Sequence, residues 1–266
     1  MKCPMKVRKY YQIFIYSARN QLMYLPAFLG RNMFFVLIMF IFSSLWRVIY
    51  SGKDVISGLT IAQVLWYFTL TEVIELSKTK ISQEIQQEIK EGGVAYTLAR
   101  PFSYIVYYFF RAMGENVVKM VPMMVEAFLL ALIFAGPLPG YFVALPFGLL
   151  IIVFGLCLAT LWQLIIGLLA FWFEEVSPFD WIVQKLVFIL GGMFFPIDFF
   201  PEWLGRLSKA SPFAFSAYWP AITFVNFSYS RFAICLLGQV VYGLALAGLA
   251  AGLFTVAIRK VHVQGG

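Results

Sequence analysis

Hydrophobic side chains occupy this chain in long unbroken stretches, where a soluble fold would space them every second residue or every third to fourth. Six stretches stand out, at residues 32–50, 60–76, 116–135, 142–172, 182–197 and 232–257. A helix crosses the hydrocarbon core of a bilayer with about 20 apolar residues, so each stretch predicts a transmembrane helix. The fourth is long enough to tilt or to project beyond the core. The fifth is short and interrupted by glycine. The residues before the first stretch are mostly polar or aromatic and no small-residue cleavage site follows it, which argues against a secretory signal. The plan is an all-α integral membrane protein: an N-terminal segment 1–31, one six-span domain 32–257 without internal repeat or long linker, and a tail 258–266.

Composition supports the bilayer as solvent. The 266 residues are 62% hydrophobic, 19% aromatic and only 12% charged, whereas a soluble domain carries about 25% charged residues. Disorder is excluded by the same aromatic content. The net charge of +7 lies beside the apolar stretches rather than on one soluble face, so it reads as topology control and not as a nucleic-acid surface. With both termini inside, the inner segments 1–31, 77–101, 173–180 and 258–266 carry twelve Lys and Arg against four in the outer ones. This bias predicts a multi-pass protein of the cell (inner) membrane with cytoplasmic termini. Glu174, Glu175 and Asp180 make one acidic inner connection that runs against the trend, though acidic residues weigh little in this rule.

Metal and redox chemistry find little support. Cys3, Cys157 and Cys235 are widely spaced, and His262 is a lone histidine. Phosphate-cradling, zinc-protease and nucleophile-elbow motifs do not occur, so no catalytic residue and no cofactor is assigned to the chain. Any ATP-driven process would need ATP and magnesium on another polypeptide.

Four stretches carry candidate function. The N-terminal segment is amphipathic at helical spacing, with Val7, Tyr10, Tyr11, Phe14 and Ala18 on one face and Arg8, Lys9, Gln12, Arg19 and Asn20 on the other. It predicts an interfacial helix in the inner headgroup layer, either a topology anchor or also a contact for a cytoplasmic partner; Pro26 and Gly30 would turn the chain into the first span. The inner loop 77–101 combines an Ile81, Ile85, Ile89 stripe with Glu84, Glu88 and Glu91, then a Gly92-Gly93 break and Arg100-Pro101. Glycine ends one helix and proline opens the next, giving either a solvated loop or a rigid knob that fits a cleft on another protein. In the third region Arg111, Glu115, Lys119 and Glu126 share a face. The first three read as an ion ladder near the inner interface, whereas Glu126, deeper and without a partner in sequence, is a candidate for a pathway or a subunit seam with Lys119 and Glu115. Glu72 and Glu75 are expected to reach the headgroup layer. Finally, Gly191, Gly192, Pro196 and Pro201 break the fifth helix, predicting an outer re-entrant element over 191–219 with Trp203, Tyr218 and Trp219 at the interface; the choice is between a plain helix–loop and an outer gate.

Two of these stretches resemble a known family. Glu91-Gly92-Gly93 through Leu98, Arg100 and Pro101 is similar to the E-G-x(4)-L-x-x-P stretch after the second span of ABC-2-type permeases, with one extra residue. Gly192-Met193-Phe194-Phe195-Pro196, then Phe200-Pro201-Glu202-Trp203-Leu204 and Ser211-Pro212, resembles the element between that family's last two spans. The ending Val263-Gln264-Gly265-Gly266 is similar to the tail of an uncharacterised or viologen-exporter-like branch, with glutamine in place of asparagine. The resemblance implies a permease subunit of an exporter, not itself an enzyme, in which 84–101 is a coupling helix for ATPase docking and 191–212 closes the outer end. It implies as partners two ABC ATPase subunits and a second identical or related permease, in contact with membrane lipid. The rival readings are a proton-coupled secondary transporter using Glu126, a lipid-modifying membrane enzyme, and a structural scaffold.

Overall fold

A computed structural model describes the backbone of residues 4–260 and the side chains of 8–24 and 32–259. Val7, Pro26 and Gly30 as side chains, together with Cys3, His262 and the 263–266 ending, lie outside the described residues. In chain order the elements are α1 (Pro4–Met23), α2 (Leu25–Ile49), a short antiparallel hairpin of β1 (Val55–Ile56) and β2 (Leu59–Thr60), α3 (Ile61–Ser77), α4 (Ile81–Lys90) and α5 (Val94–Leu98). They continue with α6 (Tyr104–Ala135), α7 (Tyr141–Leu168), α8 (Ser177–Ile189), α9 (Glu202–Lys209), α10 (Pro212–Ser216), α11 (Tyr218–Val225) and α12 (Tyr229–Ala257).

Among the described residues, four helical stretches are long and apolar enough to cross a membrane: 32–49, 104–135, 141–171 and 229–257. The other two expected runs form shorter helices. Helix α3 has 17 residues, starting at a reciprocal cap between Thr60 and Gln63. Helix α8 covers 177–189 where 182–197 was expected. It starts early, because Pro178 sits in its first turn, and it stops early, because Gly192 takes a φ of +71° that side-chain-bearing residues rarely adopt. The third helix begins at Tyr104, twelve residues before its apolar run, so Arg111 to Lys119 extend a continuous helix that also contains Pro122.

Helix α3 is the hub. Its residues Val64 to Thr71 are all buried, among α2, α6, α7 and α11. Trp66 packs against Phe128, Tyr141 and Phe224 and donates its indole N–H to the Gly136 carbonyl at 2.8 Å. Helix α1 does not stand apart: it packs along the first half of α6, with Tyr10 stacked on Phe110 and the backbone at Phe14 and Ala18 crossing Gly114. The hairpin and the 136–140 and 226–228 turns gather at one end of the bundle (the far end), whereas α4, α5 and the 173–176 turn gather at the other (the near end).

Candidate functional site

The near end is a braced knob. Leaving α3, the chain is fixed by Asn116 of α6, whose side chain accepts the Thr79 N–H (2.8 Å) and donates to Thr160 of α7 (2.9 Å). Lys119, buried, donates to the Thr79 hydroxyl at 2.7 Å. Arg111 pairs with Glu115 at 3.6 Å, as the ladder predicts, but its shorter contact is to Glu84 at 2.8 Å. Burial pushes the Glu84 carboxyl above the usual carboxylate range, with Arg111 pulling the other way.

Helix α4 lays Ile81 and Ile85 into α7. The approach is close because position 167 is glycine: a Cβ there would lie 2.8 Å from Ile85 Cδ1 and 3.2 Å from Ser82 Cα. Gln163 completes the seam, accepting from the Ser82 hydroxyl (2.8 Å) and donating to Asp180 (2.5 Å). The acidic connection that dissented from the charge bias receives α4: the Val176 N–H donates to Gln86 at 2.8 Å, and Glu175 faces Gln86 and Lys90. The Ser177 hydroxyl and N–H hold the Glu175 carboxylate down to about 2.

Of the three carboxylates expected on a docking face, two are turned inward. Glu84 lies against α6. Glu88 accepts hydrogen bonds from the hydroxyls of Thr97, Tyr104 (2.7 Å) and Tyr108 (2.7 Å), tying α4 to α5 and to the start of α6. The physical reason is that two tyrosines one turn apart on α6 offer buried hydroxyls, and hydrogen bonds to an ionised acceptor are about twice as strong as neutral ones. Glu91 is exposed, accepting from Gln87 at 2.8 Å. Gly92, at φ +74°, ends α4, and Gly93 opens α5. What the knob presents to solvent includes Gln83, Gln87, Lys90, Glu91, Tyr96 and Arg100, with Tyr96 79% exposed. Pro101 leads into Ser103, whose N–H donates to the Tyr10 hydroxyl at 2.9 Å.

The remaining candidates separate into two places. Glu126 sits past the middle of α6, beside Asn32 of α2, with one carboxyl oxygen buried without a partner among the described residues. It marks a seam between two helices of this same chain. Glu72 lines a cavity of about 390 Å³ between α2, α3 and α8, walled by Phe34, Phe42, Phe68 and Phe188. Glu75 holds Lys78 at 2.6 Å and receives Gln184 of α8 at 3.3 Å. Both carboxylates are turned sideways because α8 packs beside them.

In the 191–219 element, Gly191 packs against the Phe213 carbonyl and the Gly192 carbonyl accepts from Tyr67 of α3 at 2.6 Å. Pro196 leads into a tight turn at 197–199 and Pro201 precedes α9. Asp198 clasps the return, accepting from Lys209 (2.7 Å) and from Tyr218 (3.0 Å). The chain then climbs back along α7, with Phe213 on Trp162 and the Ser216 carbonyl against Gly155. Trp203 is 70% exposed. Tyr104, Tyr108, Asn116, Gln163 and Asp198 are site positions that no motif in the sequence marks. Gln163 carried a signal, being a polar side chain inside the long apolar run 142–172, but its partners lie on other elements.

Compared with known proteins, residues 32–265 match the family model described as ABC-2 family transporter protein. No curated protein matches the chain.

Proposed function

The chain belongs to the ABC-2 transporter family, a family of multi-pass membrane permeases, and we propose that it is the six-span permease subunit of an ATP-driven exporter. The six spans in this reading are α2, α3, α6, α7, α8 with the 190–200 segment, and α12. The Lys and Arg bias puts both termini and the near end in the cytoplasm. Two ATPase subunits carrying ATP and magnesium grip two knobs, one on each of two permease copies, identical or related. The apolar outer faces of α2 (Met33, Leu37, Phe40) and α8 (Trp181, Ile182) are candidates for the seam between copies or for lipid contact. The 191–219 element re-enters from the outside and closes the far end, with Gly191, Gly192 and Pro196 forming the bend and Trp203 at its rim. Glu72 and the cavity beside it, rather than Glu126, lie where a path along α3 and α8 would run.

The observation that carries this reading is the bracing of the knob. Glu88, Asn116, Gln163 and Gly167 fasten α4 to α6 and α7, so a displacement of the knob moves spans and not merely a loop. Its outward face is left free for a partner. ATP can drive the cycle only if the ATPase holds that face differently in its two nucleotide states.

Tyr96→Ala combined with Glu91→Lys is the direct test. A buried interfacial tyrosine is commonly a hot spot of at least about 2 kcal/mol, so co-purification of the ATPase should fall roughly thirtyfold. A cysteine at position 91 should label from the cytoplasmic side alone. Unchanged complex formation, labelling from outside an intact cell, or transport that survives ATP depletion removes the assignment.

A further inference from the structure

We propose that a cleft between α1 and the α5–α6 junction binds the phosphate of an anionic phospholipid from the cytoplasmic leaflet. The leaflet rests on the orientation argued above; the chemistry of the site does not. The cleft measures about 570 Å³ and is lined on one side by Lys9, Gln12, Tyr16 and Asn20 of α1 and on the other by Arg100, Tyr107 and the Arg111–Glu115 pair. Lys9 also borders a second, smaller recess with Pro101 and Phe102 immediately beside it.

Charge sets the sign of the occupant. Arg111, at the back of the cleft, is engaged by Glu84 and Glu115. Lys9 and Arg100 have no carboxylate: all thirteen Asp and Glu side chains of the chain fall among the described residues, and none reaches either cation. The one carboxylate lining the cleft, Glu115, is taken up by Arg111, so Lys9 and Arg100 face the cleft without a carboxylate of their own and repel one another, and a doubly coordinated phosphate oxygen pair relieves this best for Arg and Lys together. The neutral amides of Gln12 and Asn20 supply further donors for phosphate or glycerol oxygens.

Direction sets the kind of anion. Tyr10 meets Ser103 and Phe110, and Phe14 and Ala18 meet Gly114, so α1 and α6 run side by side in the same sense. Lys9 and Arg100 therefore lie at the near end. Following the cleft face along α1 at helical spacing gives Lys9, Ile13, Tyr16, Asn20 and then Met23, which is 72% exposed. Tyr16 is 75% exposed on the same stripe. Cations at the aqueous end and apolar side chains toward the membrane match the polarity of a phospholipid, where a soluble phosphate would use only the first half.

The test uses the purified full chain, without an ATPase, in nanodiscs containing equal phosphatidylglycerol and phosphatidylcholine. Lipid retained after gentle detergent extraction is read by native mass spectrometry. The wild type should retain phosphatidylglycerol, and Lys9→Glu with Arg100→Glu should lower that retention at least about thirtyfold. Lys9→Gln with Arg100→Gln serves as a milder pair, with an unchanged melting curve as the folding control, and should give an intermediate loss. Reversing Lys53 and Arg231 at the far end should change nothing. Equal retention of the two lipids, or retention unaltered in both Lys9/Arg100 pairs, overturns the proposal. Displacement of the lipid by inorganic phosphate at tens of millimolar overturns the lipid assignment in favour of a soluble phosphate. Because the readout needs neither ATP nor orientation in a cell, its failure is separate from failure of the permease reading, which the position-91 labelling decides.

Discussion

Glu88→Ala should detach α5 from α6 and disable the knob without abolishing insertion of the chain. The carboxylate is the shared acceptor of three hydroxyls, and Tyr104 and Tyr108 are only 2–3% exposed. Each buried hydroxyl left without a partner costs about 1–3 kcal/mol, so a total loss of roughly 3 kcal/mol or more is expected locally. Residues 91–103 should then exchange amide hydrogens and admit protease far faster than in the wild type, while the α6–α7 contacts persist. Glu88→Gln keeps one acceptor oxygen and should fall between the two. ATPase capture should drop in the same order. A Glu88→Ala chain whose exchange over 91–103 and whose ATPase capture both equal wild type would show that the carboxylate does not fasten this segment.

The second large effect is expected at Gly167. A valine there pushes into Ile85 and the backbone of Ser82, where even a methyl group would lie within 2.8 Å of Ile85 Cδ1. Overpacking of this kind costs about 1–3 kcal/mol. Here it would also move α4 off α7 and break the Ser82–Gln163 bond. Gly167→Ala should give a smaller loss of thermal stability in the same direction. Combining Gly167→Val with Ile85→Ala should recover part of it, because the second change vacates the space the first requires. Additive losses in that double-mutant cycle would place the strain elsewhere.

Much of the fold was legible from hydropathy alone, because a bilayer imposes helices of a given length and the chain has little else to offer. Each of the four long apolar helices contains nearly all of its run of apolar residues, although α6 begins twelve residues before its own. The boundaries of α8 were less legible: Ser177-Pro178 announces a start and Gly191-Gly192 a stop, but an apolar run does not register either. The knob was visible as a motif, through Gly92-Gly93 and Pro101, yet its wiring was not. Glu84, Glu88 and Glu91 look alike in sequence at spacings of four and three. Only the tertiary arrangement of Tyr104, Tyr108 and Arg111 on α6 turns the first two inward. Glu72 was read by depth, as a carboxylate near a helix end, whereas the packing of α8 decides what it faces.

That internal use of Glu84 and Glu88 has a bearing on how partners are chosen. With those two charges spent inside, the exposed crown is nearly balanced, Lys90 pairing with Glu175 and Glu91 offsetting Arg100 beside neutral Gln83, Gln87 and Tyr96. In the proposed complex with an ATPase, recognition would then depend on shape and on amide and aromatic contacts, with little long-range electrostatic steering. Assembly of that complex is expected to begin slowly, to be hardly sensitive to ionic strength, and to select among homologous ATPases through the fit of a single tyrosine ring.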